Sequence, residues 1–209
     1  MALSEAQSAT VLTVYTSALL PLVIVVLLRF AGRLPEWLFH LYLSTFVLCA
    51  LGWEIWLTYG IVDGLDVAAR RPAAMNEAIP VHINWLLNSL ADAGAIGLVG
   101  ALLAKWLCGG WEGAFRRWRW SVFGVLLVWF VGQNLWVELT IYQAQLAENY
   151  RLSWAPLIPT GPWFNPVVAL GGRTVQLQTQ LPWLLATPMF YALAIRLYNR
   201  GTVPAKRRN

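Results

Sequence analysis

Five apolar windows, at approximately residues 10 to 31, 37 to 60, 82 to 107, 119 to 145 and 180 to 198, limit what this chain can fold into more than any other feature. Each approaches or exceeds the roughly 20 residues with which a helix crosses a hydrocarbon core of about 30 Å. Composition agrees, since 58% of residues are hydrophobic and 12% charged, about half the charged share of an ordinary soluble domain. The sequence therefore predicts an all-α, polytopic integral membrane bundle of five transmembrane helices, one membrane domain over residues 1 to 209. The first window reads as a span, because it lacks a basic leader and is too long for a cleavable signal.

Basic residues set the expected orientation. Eleven Lys and Arg residues follow the first span (Arg29, Arg33), the third (Lys105, Arg116, Arg117, Arg119) or the fifth (Arg196, Arg200, Lys206, Arg207, Arg208), against Arg70, Arg71, Arg151 and Arg173 in the other connections. Positive-inside bias then places the N-terminus outside and the C-terminus in the cytoplasm, as in a multi-pass protein of a bacterial inner membrane or the endoplasmic reticulum. The net charge of +5 is a topology signal with affinity for anionic headgroups. Spread over three edges, it forms no stripe that would bind nucleic acid.

Cofactor signals are sparse. Cys49 lies mid-helix and Cys108 at the far end of the third span, too few and too distant for a zinc site. His40 and His82 stand at opposite ends of their spans, which disfavours a bis-histidine haem or a multi-histidine metal centre. No P-loop, dinucleotide fingerprint or nucleophile elbow occurs. The expected site therefore uses no cofactor and no metal.

Two connections, 61 to 81 and 146 to 179, are long and expected on the outer side. The second is rich in Pro, Gly and Trp, so it reads as a packed cap; Trp154 and Trp163 fit either that cap or the aromatic belt at headgroup level.

Seven of the ten acidic residues fall in loops or at span ends. The other three, Glu54, Asp92 and Glu138, lie in the second, third and fourth windows, all roughly 9 to 15 Å below the outer edge at 1.5 Å per residue. Asn84, Asn88 and Asp92 recur every fourth residue, as do Asn134, Glu138 and Tyr142, so each set shares a helix face. Polar groups at that depth must face the bundle interior or a wet cavity. The sequence thus predicts an inward polar pocket walled by tryptophans, drawn from Trp53, Trp56, Trp85, Trp129 and Trp136.

A buried carboxyl can be neutral and donate a proton while a second one accepts one. Such a pair moves a proton onto one carbon of a lipid and removes it from another, and aromatic faces stabilise the cation between. Double-bond isomerisation and cation-driven cyclisation both fit this chemistry. A proton relay in a transporter uses the same groups.

The arrangement also resembles the EXPERA-domain family, which includes the emopamil-binding sterol isomerases. Like them, it has five expected spans, an acid near the end of the second (Glu54), another acid in the third (Asp92), Val131, Gly132 and Gln133 followed by Glu138 in the fourth, and Gln180, Trp183 and Pro188 in the fifth. The likeness covers residues 37 to 198; the histidine that the family carries one turn before its first acid is Ala50 here. It implies an isomerase acting on a hydrophobic isoprenoid or sterol-like lipid. Glu54, Asp92 and Glu138 are then the candidate catalytic acids, with Glu54 and Asp92 as the proton-transfer pair. Trp53, Trp56, Asn88, Gln133, Asn134, Tyr142, Gln180 and Trp183 are the candidate substrate contacts. The "GWEIW" segment is similar to the second helix of fungal membrane terpene cyclases, which makes cyclisation the alternative. A lipid-binding or transport protein, or an accessory subunit with a membrane-complex partner, is the non-enzymatic reading; a homodimer is open in each case.

Overall fold

The computed structural model describes residues 2–147, 152–159, 168–170 and 173–202, and the expected cap residue Trp163 lies outside them. Five helices are long and apolar enough to cross a membrane. Helix α1 (Glu5–Phe30) opens with a reciprocal cap: the Ser4 hydroxyl accepts the Gln7 N–H at 3.2 Å and the Gln7 side chain accepts the Ser4 N–H at 2.9 Å. Helix α2 (Glu36–Tyr59) begins after Pro35 and stops at Gly60, whose φ of 81° suits glycine. A Cβ there would come within 2.6 Å of the Leu65 carbonyl oxygen.

The connection expected as a loop over 61 to 81 instead carries two short helices, α3 (Val67–Arg70) and α4 (Ala73–Ala78). Asp66 nucleates the first by accepting the Ala68 N–H at 2.9 Å, and Pro72 starts the second. Helix α5 (Val81–Leu107) follows Pro80, and a short α6 (Gly110–Phe115) leads into α7 (Trp120–Thr140). A 3₁₀ turn (Tyr142–Gln145) ends α7 earlier than the window to 145 suggests. Strands β1 (Val168–Leu170) and β2 (Arg173–Val175) form a small antiparallel pair that delivers the chain to α8 (Leu177–Thr202).

Helix α5 packs against α1, α2 and α7, and α8 against α2 and α7. One core cluster joins Trp37, Phe115, Leu126, Phe130 and Tyr191 near α6. There the Tyr191 hydroxyl accepts the Arg119 N–H at 3.1 Å and donates to the Ala114 carbonyl at 3.0 Å, which locks α8 to the α6–α7 corner. The other end is closed by chain segments that hydrogen-bond one another. Ala147 N–H donates to the Arg70 carbonyl at 2.9 Å, and Ala155 N–H to the Leu57 carbonyl at 2.7 Å. The Gln178 side chain accepts both Leu157 N–H, at 2.6 Å, and Ile158 N–H, at 2.9 Å. Trp154 is buried with Leu57 and Val67, as a packed cap requires and a belt residue does not.

Helix α1 buries little of itself, and Leu12, Leu20 and Leu27 are more than half exposed, an apolar face suited to lipid. It comes close to α5 at Pro21, where a Cβ on Gly94 would stand 2.4 Å from the Pro21 Cβ, and it is also held by the Tyr15 hydroxyl, which donates to the Ala78 carbonyl at 3.0 Å. Small residues permit such close approach where lipid offers no hydrophobic drive between helices. Gly94→Val should therefore cost about 1–3 kcal/mol by overpacking, seen as a lower unfolding midpoint in detergent; an unchanged midpoint would show that α1 is not anchored there.

Candidate functional site

Both α2 and α5 contain a π-helical segment, and a candidate acid sits at the edge of each. Glu54 closes the segment Ala50–Glu54, and Asp92 opens Asp92–Leu98. A π turn widens the helix, shifts the phase of the side chains beyond it and recurs at functional sites. Here each wide turn receives an indole from a neighbouring helix. Trp85 Nε1 donates to the Ala50 carbonyl at 2.9 Å, and Trp129 Nε1 to the Ile96 carbonyl at 3.0 Å. A third indole, Trp53 Nε1, donates to Asp92 Oδ2 at 3.0 Å and so ties α2 to α5 at the acid itself.

These turns bring Glu54 and Asp92 together. Both are 7% exposed, they interact electrostatically, and both line one cavity of about 260 Å³. The Asn88 amide adjoins Glu54, and the Cys49 thiol adjoins Asp92. Asn84, Gln133, Asn134 and Tyr142 also border the cavity, and Trp53, Trp129, Trp136, Trp154 and Trp183 supply its indoles, so Trp53, Trp129 and Trp136 line it as the sequence predicts. Tyr142 stands within electrostatic reach of all three candidate acids. Gln133 spends its amide N–H on the Phe130 carbonyl one turn back, at 2.8 Å, and Asn134 Nδ2 donates to the Thr179 carbonyl at 3.0 Å.

Glu138, expected among the catalytic acids, is not on this cavity wall. Its Oε1 accepts the Gln176 N–H at 2.7 Å, and its Oε2 lies 2.8 Å from both Thr179 Oγ1 and Gln180 Nε2. It therefore caps the start of α8, where backbone N–H groups lack helical acceptors. Gln180, expected to touch substrate, is committed to that cap. Trp56 does not reach the cavity either and is 45% exposed. The inward face of α2 is occupied by Trp53 and Glu54 and their neighbours one turn on, Leu57 and Thr58. Trp85, a candidate wall, braces the π turn without lining the cavity.

Three contributions went unread in the sequence. Thr13 and Ser17, four residues apart on α1, present a short polar stripe to the cavity; that spacing was a legible signal. Arg71 is buried in the cap and donates to Asn84 Oδ1 and to the Ile79 carbonyl, each at 2.9 Å. Burial pushes its guanidinium down to about 10, so it stays charged at neutral pH. A guanidinium only donates, so Asn84 must turn its oxygen to Arg71 and its NH₂ toward Thr58 Oγ1, 3.3 Å away. Neighbouring Arg70 pairs with Asp63, whose carboxyl that pairing holds below its ordinary value. Cys49, which spacing left without a role, is the third feature, as the neighbour of Asp92.

Among the described residues, no group of three or more His, Cys, Asp or Glu side chains is arranged to hold a metal ion. Comparisons of the chain with models of known families, with curated proteins and with solved structures find no match.

Proposed function

We propose that this chain is an intramembrane isomerase that shifts a carbon–carbon double bond in a hydrophobic isoprenoid or sterol-like lipid by proton transfer. The observation that carries this reading is the meeting of two buried carboxyls, Glu54 and Asp92, on π turns of adjacent helices in a cavity walled by indoles and amides. Two buried carboxyls that interact electrostatically share a proton, since both cannot be charged at low cost. An indole N–H can only donate, so its bond to Asp92 favours the carboxylate there and leaves the proton to Glu54.

The reaction then balances in two steps. Glu54 protonates one alkene carbon, and the electron pair of the double bond forms the new C–H bond, leaving a cation on the next carbon. Asp92 removes a proton from the carbon beyond, and that C–H pair becomes the displaced double bond. Asp92 then gives its proton to water and Glu54 regains one from water before the next turnover, so no oxidant or reductant is consumed. Trp53 and Trp183, whose ring centroids are 5.4 Å apart, border the space where the cation forms. The resemblance to EXPERA-domain isomerases points the same way. The aromatic lining, with Trp129 and Trp154 added, also favours a second reading, cyclisation: it begins with the same protonation, another alkene of the substrate attacks the cation to form a ring bond and a new cation, and Asp92 removes a proton beside that cation.

Solvent deuterium tests both. The purified protein in nanodiscs is incubated in D₂O with a total membrane lipid extract, and lipid masses are followed. An isomerase or cyclase transfers deuterium from the exchanged carboxyl to carbon and raises one lipid species by one mass unit per turnover. If no lipid acquires carbon-bound deuterium while a lipid remains bound, the chain is a binding protein and the enzymatic reading fails.

A further inference from the structure

A second cavity, of about 350 Å³, lies between α2 and α8. Unlike the first, it is almost wholly apolar and opens among Leu48, Leu181, Leu185 and Met189, which are 39–64% exposed on the lipid-facing surface. Trp53, Asp92, Pro182 and Trp183 border both cavities, whereas Glu54, Asn84, Asn88 and Gln133 border only the polar one. The groove stays open where α2 carries Gly52, since a Cβ there would meet nothing within 4 Å. Asp92 thus stands at the junction of a polar chamber and an apolar groove, with Glu54 on the polar side.

We infer that the substrate is an amphiphilic lipid taken laterally from the bilayer, with its hydrogen-bonding end among the amides of the polar chamber and its hydrocarbon tail in the α2–α8 groove. This rests on the proton-transfer reading for its chemistry but not for its binding geometry. The occupant of the groove is a tail, because its walls offer little to a polar group and it adjoins the chamber that does, with Trp53, Asp92, Pro182 and Trp183 bordering both. The arrangement also sets the direction of reaction. Glu54 protonates the alkene carbon nearer the polar end, the cation forms on the next carbon, and Asp92 takes the proton from the carbon on the tail side. The double bond therefore moves one position away from the polar end.

Two isomeric photoreactive fatty alcohols test this in nanodiscs, one with a diazirine at the chain end and one with it beside the hydroxyl. The chain-end probe should label peptides from residues 45–52 and 181–190, and the hydroxyl-end probe those from residues 84–95 and 129–142. Labelling of the same peptides by both probes, or even labelling of every lipid-facing helix, overturns the inference. Gly52→Phe adds a Cβ where nothing lies within 4 Å and a ring to narrow the groove, and should reduce chain-end labelling about ten-fold when the probe starts in the bilayer; an undiminished rate would overturn lateral entry through the groove. In Glu54→Gln and Asp92→Asn the labelling pattern should persist. In the native protein, absence of deuterium transfer with labelling intact would sink the chemistry alone, and deuterium transfer without tail labelling in the groove would sink the groove alone.

Discussion

Glu54→Gln and Asp92→Asn are each expected to reduce deuterium transfer into lipid by about 10²–10⁴-fold, the range over which a positioned acid or base contributes, while the folded protein persists. Either amide keeps the shape of its side chain and retains a hydrogen-bond acceptor for its neighbours. In Asp92→Asn the amide oxygen can still accept the Trp53 indole N–H, a bond of 3.0 Å in the native site. What is lost is the ability to give up or take on a proton. The two losses differ in kind: Glu54→Gln removes the donor, so no cation forms, whereas Asp92→Asn leaves a donor but no base in its ordinary place. Single-turnover mass spectrometry, with circular dichroism to confirm helical content, measures both. Transfer at the native rate in both variants would remove the two acids from the chemistry.

The second large effect concerns stability. Glu138→Leu strips the acceptor from the Gln176 N–H and from the Thr179 and Gln180 side chains at the start of α8. Unsatisfied buried donors cost about 1–3 kcal/mol each, and Thr179 retains the Gln176 carbonyl at 2.8 Å, so a loss of about 2–5 kcal/mol is expected. Glu138→Gln should cost far less. Its oxygen can keep the Gln176 N–H, and Gln180, whose Oε1 is buried without a partner, can turn its amide to receive the new NH₂. A thermal-unfolding midpoint that falls sharply in the Leu variant and little in the Gln variant, with deuterium transfer retained in the latter, identifies a cap. A stable but inactive Glu138→Gln would instead return this residue to the proton-transfer chemistry.

The comparison of these residues shows what local pattern conveys. Glu54, Asp92 and Glu138 were legible as costly groups at one depth, because burying an ionisable side chain in an apolar helix stands out in any window. Their division of labour was not. Glu138 differs from the other two only in what α8 brings against it, namely the Gln176 N–H and the Thr179 and Gln180 side chains from about forty residues away in sequence. The tryptophans divide for the same reason. Trp53, Trp56, Trp85 and Trp129 look alike in composition, yet one holds a carboxylate, one faces outward and two brace wide helical turns.

Five helices follow from the sequence alone, since length and apolarity are local properties that a bilayer selects directly. So does the presence of an acid at similar depth in both α2 and α5. Which way those acids turn was settled by tertiary packing. Their orientation depends on π turns at Ala50–Glu54 and Asp92–Leu98, and these are braced by indole donors on other helices. A helical periodicity read along one stretch of sequence assumes a constant turn, so it cannot register a phase shift that a neighbouring helix sustains.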